Sequence, residues 1–259
     1  MHSGQSTGAC RAVFRFYEEL NDFLPPERRK VSFPHEFSRR ASVKDMIESL
    51  GVPHPEVEMI LANGKSVGFD YQVRDGDRIA VYPVFESFDI SDQLRVRRRP
   101  LRVLRFVADG HLGTLARYLR LCGFDVLYRK DYEDEELAAI SAGSKRILLT
   151  RDRNLLKRRI ITHGYCVRHD DPREQLAEVF RRFDLAGAAE PFTRCARCNG
   201  LLEDVAKAEI EHRLQPLTRR YYDEFRRCTA CGHLYWRGSH VASMLERIAE
   251  LGDSRGTAG

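Results

Sequence analysis

Two short apolar runs, each stopping at an aspartate, constrain this chain more than any other feature of it. The first, Val103-Leu104-Arg105-Phe106-Val107-Ala108, ends at Asp109-Gly110-His111. The second, Ile147-Leu148-Leu149-Thr150, ends at Arg151-Asp152. A buried parallel strand reads as a short, nearly continuous apolar run, and the residues after each run here are helical in pattern. In an open α/β sheet, ligands sit outside the carboxyl ends of the strands. Asp109 and Asp152 are therefore expected on one rim, at the ends of neighbouring strands. Carboxylates held together there repel one another unless cations lie between them, which is the chemistry of a Mg²⁺ or Mn²⁺ site.

The intervening and later residues repeat the alternation. Leu112, Leu115, Ala116, Leu119 and Cys122 mark the apolar face of a helix that Gly123 ends, with Arg117 and Arg120 pointing elsewhere. Phe124–Tyr128 reads as a strand. Asp131 to Asp134 lead into a helix through Leu137, Ala138 and Ile140, ended by Gly143. Leu155 and Leu156 begin a helical turn, Tyr165–Arg168 is a fourth strand, and Leu176, Val179, Phe180 and Phe183 line a fourth helix. This order predicts a right-handed, mostly parallel sheet.

The 259 residues suffice for one large domain or two to three small ones, with 42% hydrophobic and 31% charged residues giving a soluble globular balance. No apolar stretch approaches the roughly 20 residues that span a bilayer. Met1 to Cys10 lacks a basic start followed by an apolar run, so no secretory signal is expected, and the cytoplasm is the expected location. The net charge of +5 is uneven. Residues 1–93 carry 11 Lys/Arg against 15 Asp/Glu, and the rest carry 32 against 23. Only the second part has the charge of a nucleic-acid binder, although a solvated arginine-rich surface reads the same way.

Ahead of the parallel region the pattern changes. Ala12, Phe14 and Phe16 alternate, Asn21-Asp22 and Pro25-Pro26 mark a turn, and Val31 and Phe33 alternate again. Ser42 with Asp45 opens a helix with Val43, Met46, Ile47 and Leu50 on one face and Gly51 as its stop. Val57–Leu61 is a strand, Asn63-Gly64 a hairpin turn, and Asp75-Gly76-Asp77 a turn into Arg78–Tyr82. Strands, one helix and more strands in this length suggest a β-grasp. The ending Val73–Pro83 resembles the ubiquitin-like sulfur carriers of thiamine and molybdopterin synthesis. Those act through a free C-terminal Gly-Gly, whereas Pro83 here runs on into Val84-Phe85-Glu86-Ser87. A binding module without sulfur chemistry is expected. Glu86 to Pro100, with Arg95, Arg97, Arg98 and Arg99, reads as a linker whose arginines can also meet phosphates.

Seven cysteines include two Cys-x-x-Cys pairs, Cys195/Cys198 and Cys228/Cys231. Each pair can turn back as a knuckle with two thiolates on one side of a tetrahedral Zn²⁺, and two knuckles close the site with no open position. A structural zinc is expected, with His212 and His233 as ligands only where a cysteine is not. Between the pairs, Arg219, Arg220, Arg226 and Arg227 alternate with Tyr221, Tyr222 and Phe225, suiting either a single strand of nucleic acid or the packing of a small ribbon. The acids also have a plainer reading, since Asp109 and Asp152 each precede a helix and Asp is a favoured N-cap.

The phrases Phe106–Arg120, Gly123-Phe124-Asp125-Val126 and Ile147–Leu156 resemble the RNase domain named for the C-terminus of the Mut-seven exonucleases, a PIN-like nuclease family. Several bacterial members carry an N-terminal ubiquitin-like domain and a C-terminal zinc ribbon. The resemblance implies an α/β chain with a PIN-like parallel-sheet core, preceded by an α+β ubiquitin-like β-grasp and followed by a zinc ribbon. The corresponding boundaries are 11–86 for the β-grasp, 87–100 for the linker, 101–188 for the RNase domain, 189–240 for the ribbon and 241–259 for a C-terminal helix and tail.

The resemblance further implies metal-dependent hydrolysis of RNA, tRNA and ribosome-associated RNA among the candidates, by Asp109, Asp134 and Asp152 holding Mg²⁺ or Mn²⁺. Asp134 is matched through the helix start Asp134-Glu135-Glu136-Leu137, with Asp131 in reserve. Arg117, Arg120, Arg151 and Asn154 are the expected substrate contacts: Arg151 for a phosphate or the acids, Asn154 for a metal-bound water. His111 is a candidate base, with exposure beside the helix start the plainer account. The competing function is a non-catalytic RNA- or ribosome-binding adaptor around an inactive core, with the β-grasp binding a protein or RNA. Sulfur transfer is disfavoured by the missing glycines.

Overall fold

The computed structural model describes residues 10–83 and 104–236. The expected linker at 87–100 with its arginines, the Val84–Ser87 run and the C-terminal helix and tail lie outside the described residues. The chain divides into two compact units, Met1–Arg102 with Asp152–Cys166, and Val103–Arg151 with Val167–Gly259.

In the first unit, strands β1 (Cys10–Phe16) and β2 (Phe33–Phe37) pair antiparallel, helix α1 spans Val43–Ser49, and β3 (Met59–Ala62), β4 (Lys65–Val67) and β5 (Arg78–Tyr82) come after it. The sheet order is β2-β1-β5-β3-β4, and β1 and β5 are parallel. Ser42 Oγ accepts from Asp45 N at 3.1 Å, so the capping read from the sequence is formed. Asn63 and Gly64 both take positive φ, +52° and +80°, in the tight turn joining β3 to β4. The apolar face of α1, with Val43, Met46 and Ile47, and the inward side chains Phe14, Phe16, Ile60, Ile79 and Val81 are all buried. Asp77, 4% exposed, receives Arg74 N, Asn63 Nδ2 and Tyr71 Oη at 2.8–2.9 Å, which fixes the turn into β5.

The second unit begins with the expected alternation: β6 (Arg105–Ala108), α2 (Gly113–Leu121), β7 (Asp125–Tyr128), α3 (Asp134–Ser144) and β8 (Ile147–Thr150). β6 lies centrally, parallel to β7 on one side and β8 on the other. All four residues of β8 are buried, the pattern of a strand covered on both faces. Gly143 does not end α3; the helix runs to Ser144 and Lys145 takes the left-handed cap at φ +51°. Past β8 the chain returns to the first unit for a short helix α4 (Arg153–Leu156) and strand β9 (Gly164–Cys166). The second unit resumes with α5 (Pro172–Phe183), capped by Asp171, whose Phe180 and Phe183 meet Phe124 and Phe106 edge-on at 5.7 and 5.6 Å.

A small antiparallel sheet completes the described chain: β10 (Leu202–Val205), then the short helices α6 (Lys207–Ile210) and α7 (Pro216–Tyr221), then β11 (Phe225–Cys228) and β12 (Leu234–Trp236). The order is β10-β11-β12. Val205, Ile210 and Phe225 form its core, with Leu214, Tyr222, Leu234 and Trp236 packed around them.

Candidate active site and metal centre

Asp109 leaves the end of β6 and accepts His111 N through Oδ1 at 3.4 Å, capping the single turn Gly110–Leu112. That bond is long, and it involves one oxygen only. The other, Oδ2, accepts the hydroxyl of Thr150 at 2.7 Å from the end of β8. Thr150 is fully buried, so the carboxylate is fixed from beneath by the neighbouring strand. The glycines around it allow close approach. A Cβ on Gly110 would lie 2.6 Å from Lys130 O, and one on Gly113 would lie 2.5 Å from Tyr128 Oη. Tyr128 at the end of β7 donates to Gly110 O at 3.1 Å. Three parallel strand ends thus converge on the turn that carries Asp109. His111 is exposed beside it.

Asp134 is half-buried at the first residue of α3, in an acidic first turn with Glu135 and Glu136 that suits the helix N-terminus. Asp131 is spent on Arg129 Nε at 2.8 Å, and its side chain is 76% exposed. Arg129 also binds Glu136 at 2.9 Å and stacks 4.6 Å from the Tyr132 ring. Among the described residues, the group of three or more His, Cys, Asp or Glu with ligand atoms within 4.8 Å of one another is the set Cys195, Cys198, Cys228 and Cys231, not the acids. Asp152, counted with the first unit, caps α4 through Asn154 N at 2.7 Å and is exposed, as is Asn154.

The four residues expected at the substrate fall differently. Arg117 is exposed on α2. Arg151 pairs with Asp170 at 2.5 Å. Arg120 departs from the expectation: it is 3% exposed and has no face toward solvent. Its Nε donates to Val126 O at 2.9 Å, and one terminal nitrogen donates to both Ala196 O and Arg197 O at 3.1 Å. A buried guanidinium donating to three backbone carbonyls is a fastener, not a phosphate contact.

Those carbonyls belong to the first Cys-x-x-Cys turn. The sulfurs of Cys195, Cys198, Cys228 and Cys231 cluster, with Cys195–Cys231 at 3.6 Å and Cys198–Cys228 at 3.4 Å. Around a tetrahedral zinc the sulfur–sulfur edge is about 3.8 Å, so the cluster suits a metal ion such as zinc. Burial pushes the Cys195 thiol up, but hydrogen bonds from Tyr235 Oη and the Cys198 and Arg197 amides outweigh it and bring the pKa to about 7. Burial and the crowding sulfurs push Cys198 up to about 12. Gly200 suits this close approach, since a Cβ would lie 2.9 Å from Ala230 Cβ and 3.0 Å from Cys228 Sγ. With four sulfurs assembled, His212 and His233 are not needed as ligands.

Asn199, at φ +69° just after Cys198, was not singled out by the sequence, although Asn-Gly after a Cys-x-x-Cys pair marks a left-handed turn. Its Oδ1 accepts Val126 N at 3.1 Å and its Nδ2 donates to Asp125 Oδ1 at 2.7 Å. Asp125 also takes a two-pronged pair from Arg146 at 2.8 and 3.0 Å. Both backbone groups of Val126 on the outer edge of β7 are therefore met by the cysteine turn and Arg120. The basic aromatic set divides as well. Phe225 is buried and Tyr222 packs on Trp236, while Arg226 and Arg227 pair with Asp204 and Glu203. Tyr221 is 65% exposed with Arg220 stacked on it at 5.5 Å.

Compared with known families, residues 104–248 match the Mut7-C RNAse domain, more than half of the chain. The chain belongs to the Mut7-C RNase family. Residues 9–89 match the Mut7-C ubiquitin domain, in agreement with the parallel pairing of β1 and β5 and the helix α1 between β2 and β3. The Mut7-C match takes in the cysteine ribbon as well as the parallel sheet. Neither the curated proteins nor the solved structures compared with this chain give a match. No helix of the described residues is long and apolar enough to cross a membrane.

Proposed function

We propose that this Mut7-C protein is a metal-dependent ribonuclease whose cleavage site is built on Asp109, Asp134 and Asp152. The observation that carries the reading is Asp109 at the end of the central strand, gripped by Thr150, in a chain of an RNase family. A helix cap needs one carboxylate oxygen and no buried hydroxyl beneath the other. The donor set fits hard divalent ions such as Mg²⁺ or Mn²⁺, which prefer carboxylate oxygens. A carboxylate has about four lone-pair sites, and Thr150 and the long His111 bond account for two on Asp109.

When bound, such ions activate a water and neutralise charge on the phosphate. The chain's own part is orientation. Thr150 fixes the plane of the Asp109 carboxylate, and Gly110 and Gly113 let its turn settle against the end of β7. Arg117 is the exposed cation available to a phosphate on α2, and Arg151 becomes available once it leaves Asp170. The four cysteines hold a structural Zn²⁺. The β-grasp keeps the ubiquitin fold without sulfur transfer, the RNase domain is 101–188 with residues 152–166 folding alongside the β-grasp, and the protein acts in the cytoplasm.

Purified protein incubated with labelled RNAs in Mg²⁺, Mn²⁺ or EDTA tests this. Cleavage that needs the divalent ion and is lost in Asp109→Asn and Asp152→Asn is the expected result. RNA binding without cleavage in any metal would make the protein an adaptor instead.

A further inference from the structure

Residues 152–166 lie inside the RNase-family match, yet they fold within the first unit, among residues of the ubiquitin-like match. This segment begins with Asp152 and Asn154. From Asp152 it is a run of linked turns: Leu156 N to Asp152 O at 3.4 Å, Lys157 N to Asn154 O and Arg158 N to Leu155 O at 3.2 Å, and Ile161 N to Arg158 O at 3.0 Å. Leu155, Leu156 and Ile161 are buried to 1% exposure or less.

The ubiquitin-like domain holds the run at three points. At the front, Arg153 donates to Asp22 O at 3.4 Å and its guanidinium lies 4.9 Å over the Phe23 ring. At the rear, His54 Nε2 lies 2.6 Å from Ile161 O while Nδ1 lies 2.6 Å from Glu48 Oε1. Both ring nitrogens are within hydrogen-bond distance of an oxygen, so the ring is held at both ends. Beyond it, the Glu56 carboxylate accepts Cys166 N at the end of β9. His54 is 4% exposed and Glu56 is fully buried. Burying an imidazole and a carboxylate is costly unless each is hydrogen-bonded, and the partners of both include backbone groups of the 152–166 segment.

We infer that His54 and Glu56, with Asp22 and Phe23, are positioning residues for the segment that starts at Asp152, so that the ubiquitin-like domain sets the conformation of the run that carries Asp152 and Asn154. The inference rests on the ribonuclease reading proposed for Asp109, Asp134 and Asp152. It gives the domain a task that requires neither an outside partner nor a C-terminal glycine pair.

The test uses the full chain and two readouts, hydrogen exchange of the 154–161 amides and metal-dependent RNA cleavage. Glu56→Met removes the acceptor at similar length, and Glu56→Gln keeps one. Glu56→Met should lose protection across 154–161, lower kcat about 10- to 100-fold and raise the Mn²⁺ needed for half-maximal cleavage, with KM for RNA little changed. Glu56→Gln should restore all of these. If Glu56→Met does not fold, Arg153→Gln on the exposed front anchor should weaken protection and kcat in the same sense. An effect on KM alone would instead make Arg153 an RNA contact and overturn the inference. Unchanged protection and kcat in folded Glu56→Met also overturns it. A wild type that cleaves nothing refutes the ribonuclease reading and with it any role in a cleavage site, while lost protection in Glu56→Met would still establish the anchoring itself.

Discussion

Thr150 Oγ1 donates to Asp109 Oδ2 at 2.7 Å, joining the ends of two adjacent parallel strands through a fully buried hydroxyl. The bond separates two accounts of Asp109. Asp109→Asn keeps the shape and much of the capping ability but removes the charge. Metal-dependent cleavage should fall by orders of magnitude, the scale of a barrier change of several kcal/mol. The fold should change by about 1 kcal/mol or less, as measured by denaturant unfolding in EDTA. Wild-type cleavage by both Asp109→Asn and Asp152→Asn would leave these residues as helix caps.

The sulfur spacing sets an expected metal content. The protein should carry one zinc per chain, and the Cys195→Ser/Cys228→Ser double variant should carry almost none. Elemental analysis of both decides it, and equal zinc in the two proteins would refute the assignment.

The turn after Cys198 should matter to the second unit as a whole. Asn199→Ala deprives Val126 N of its acceptor and Asp125 of a donor. Leaving such groups unmet costs about 1–3 kcal/mol, so the midpoint of chemical unfolding should fall accordingly. Unchanged stability with zinc still bound would show that the turn only rests against β7.

Asp125 predicts a pH dependence. Burial raises its pKa, but the hydrogen bonds and charge of Arg146, with Asn199 and Arg194, outweigh that and hold it below the ordinary carboxylate value. A group whose folded pKa is depressed stabilises the fold above its unfolded pKa, about 3.9, and that contribution is lost as pH falls through the lower folded value. Thermal unfolding monitored below about pH 4 should therefore lose stability more steeply in the wild type than in Asp125→Asn. Parallel curves would remove Asp125 from the acid response.

Much of the fold was legible in the sequence because it is local. Ser42 capping α1, the Asn63-Gly64 turn, the strand runs before Asp109 and Asp152 and the paired cysteines are each set by neighbours within a few residues. Tertiary partners were not legible. Arg120 lies one turn beyond Ala116, on the shoulder of the apolar face of α2, and periodicity alone does not say that three carbonyls wait there. The allegiance of 152–166 to the first unit rests on contacts such as His54 to Ile161, which span more than a hundred residues. Thr150 read as the last residue of a strand, because a single buried hydroxyl leaves no pattern. Gly143 looked like a helix stop, but Lys145 took the left-handed cap two residues later.

The fastening of Arg120 and Asn199 to Val126 limits how this chain can be recombined. A crossover between 188 and 189 looks natural from composition, yet it would strand a guanidinium only 3% exposed without two of its carbonyls and bare the outer edge of β7. A bared strand edge recruits strands from other molecules. Hybrids joined there should come out as aggregates, whereas moving 104–236 together with the ubiquitin-like domain keeps both the fastener and the anchors of 152–166. In this chain the cysteine ribbon and the sheet edge it covers make one unit of exchange.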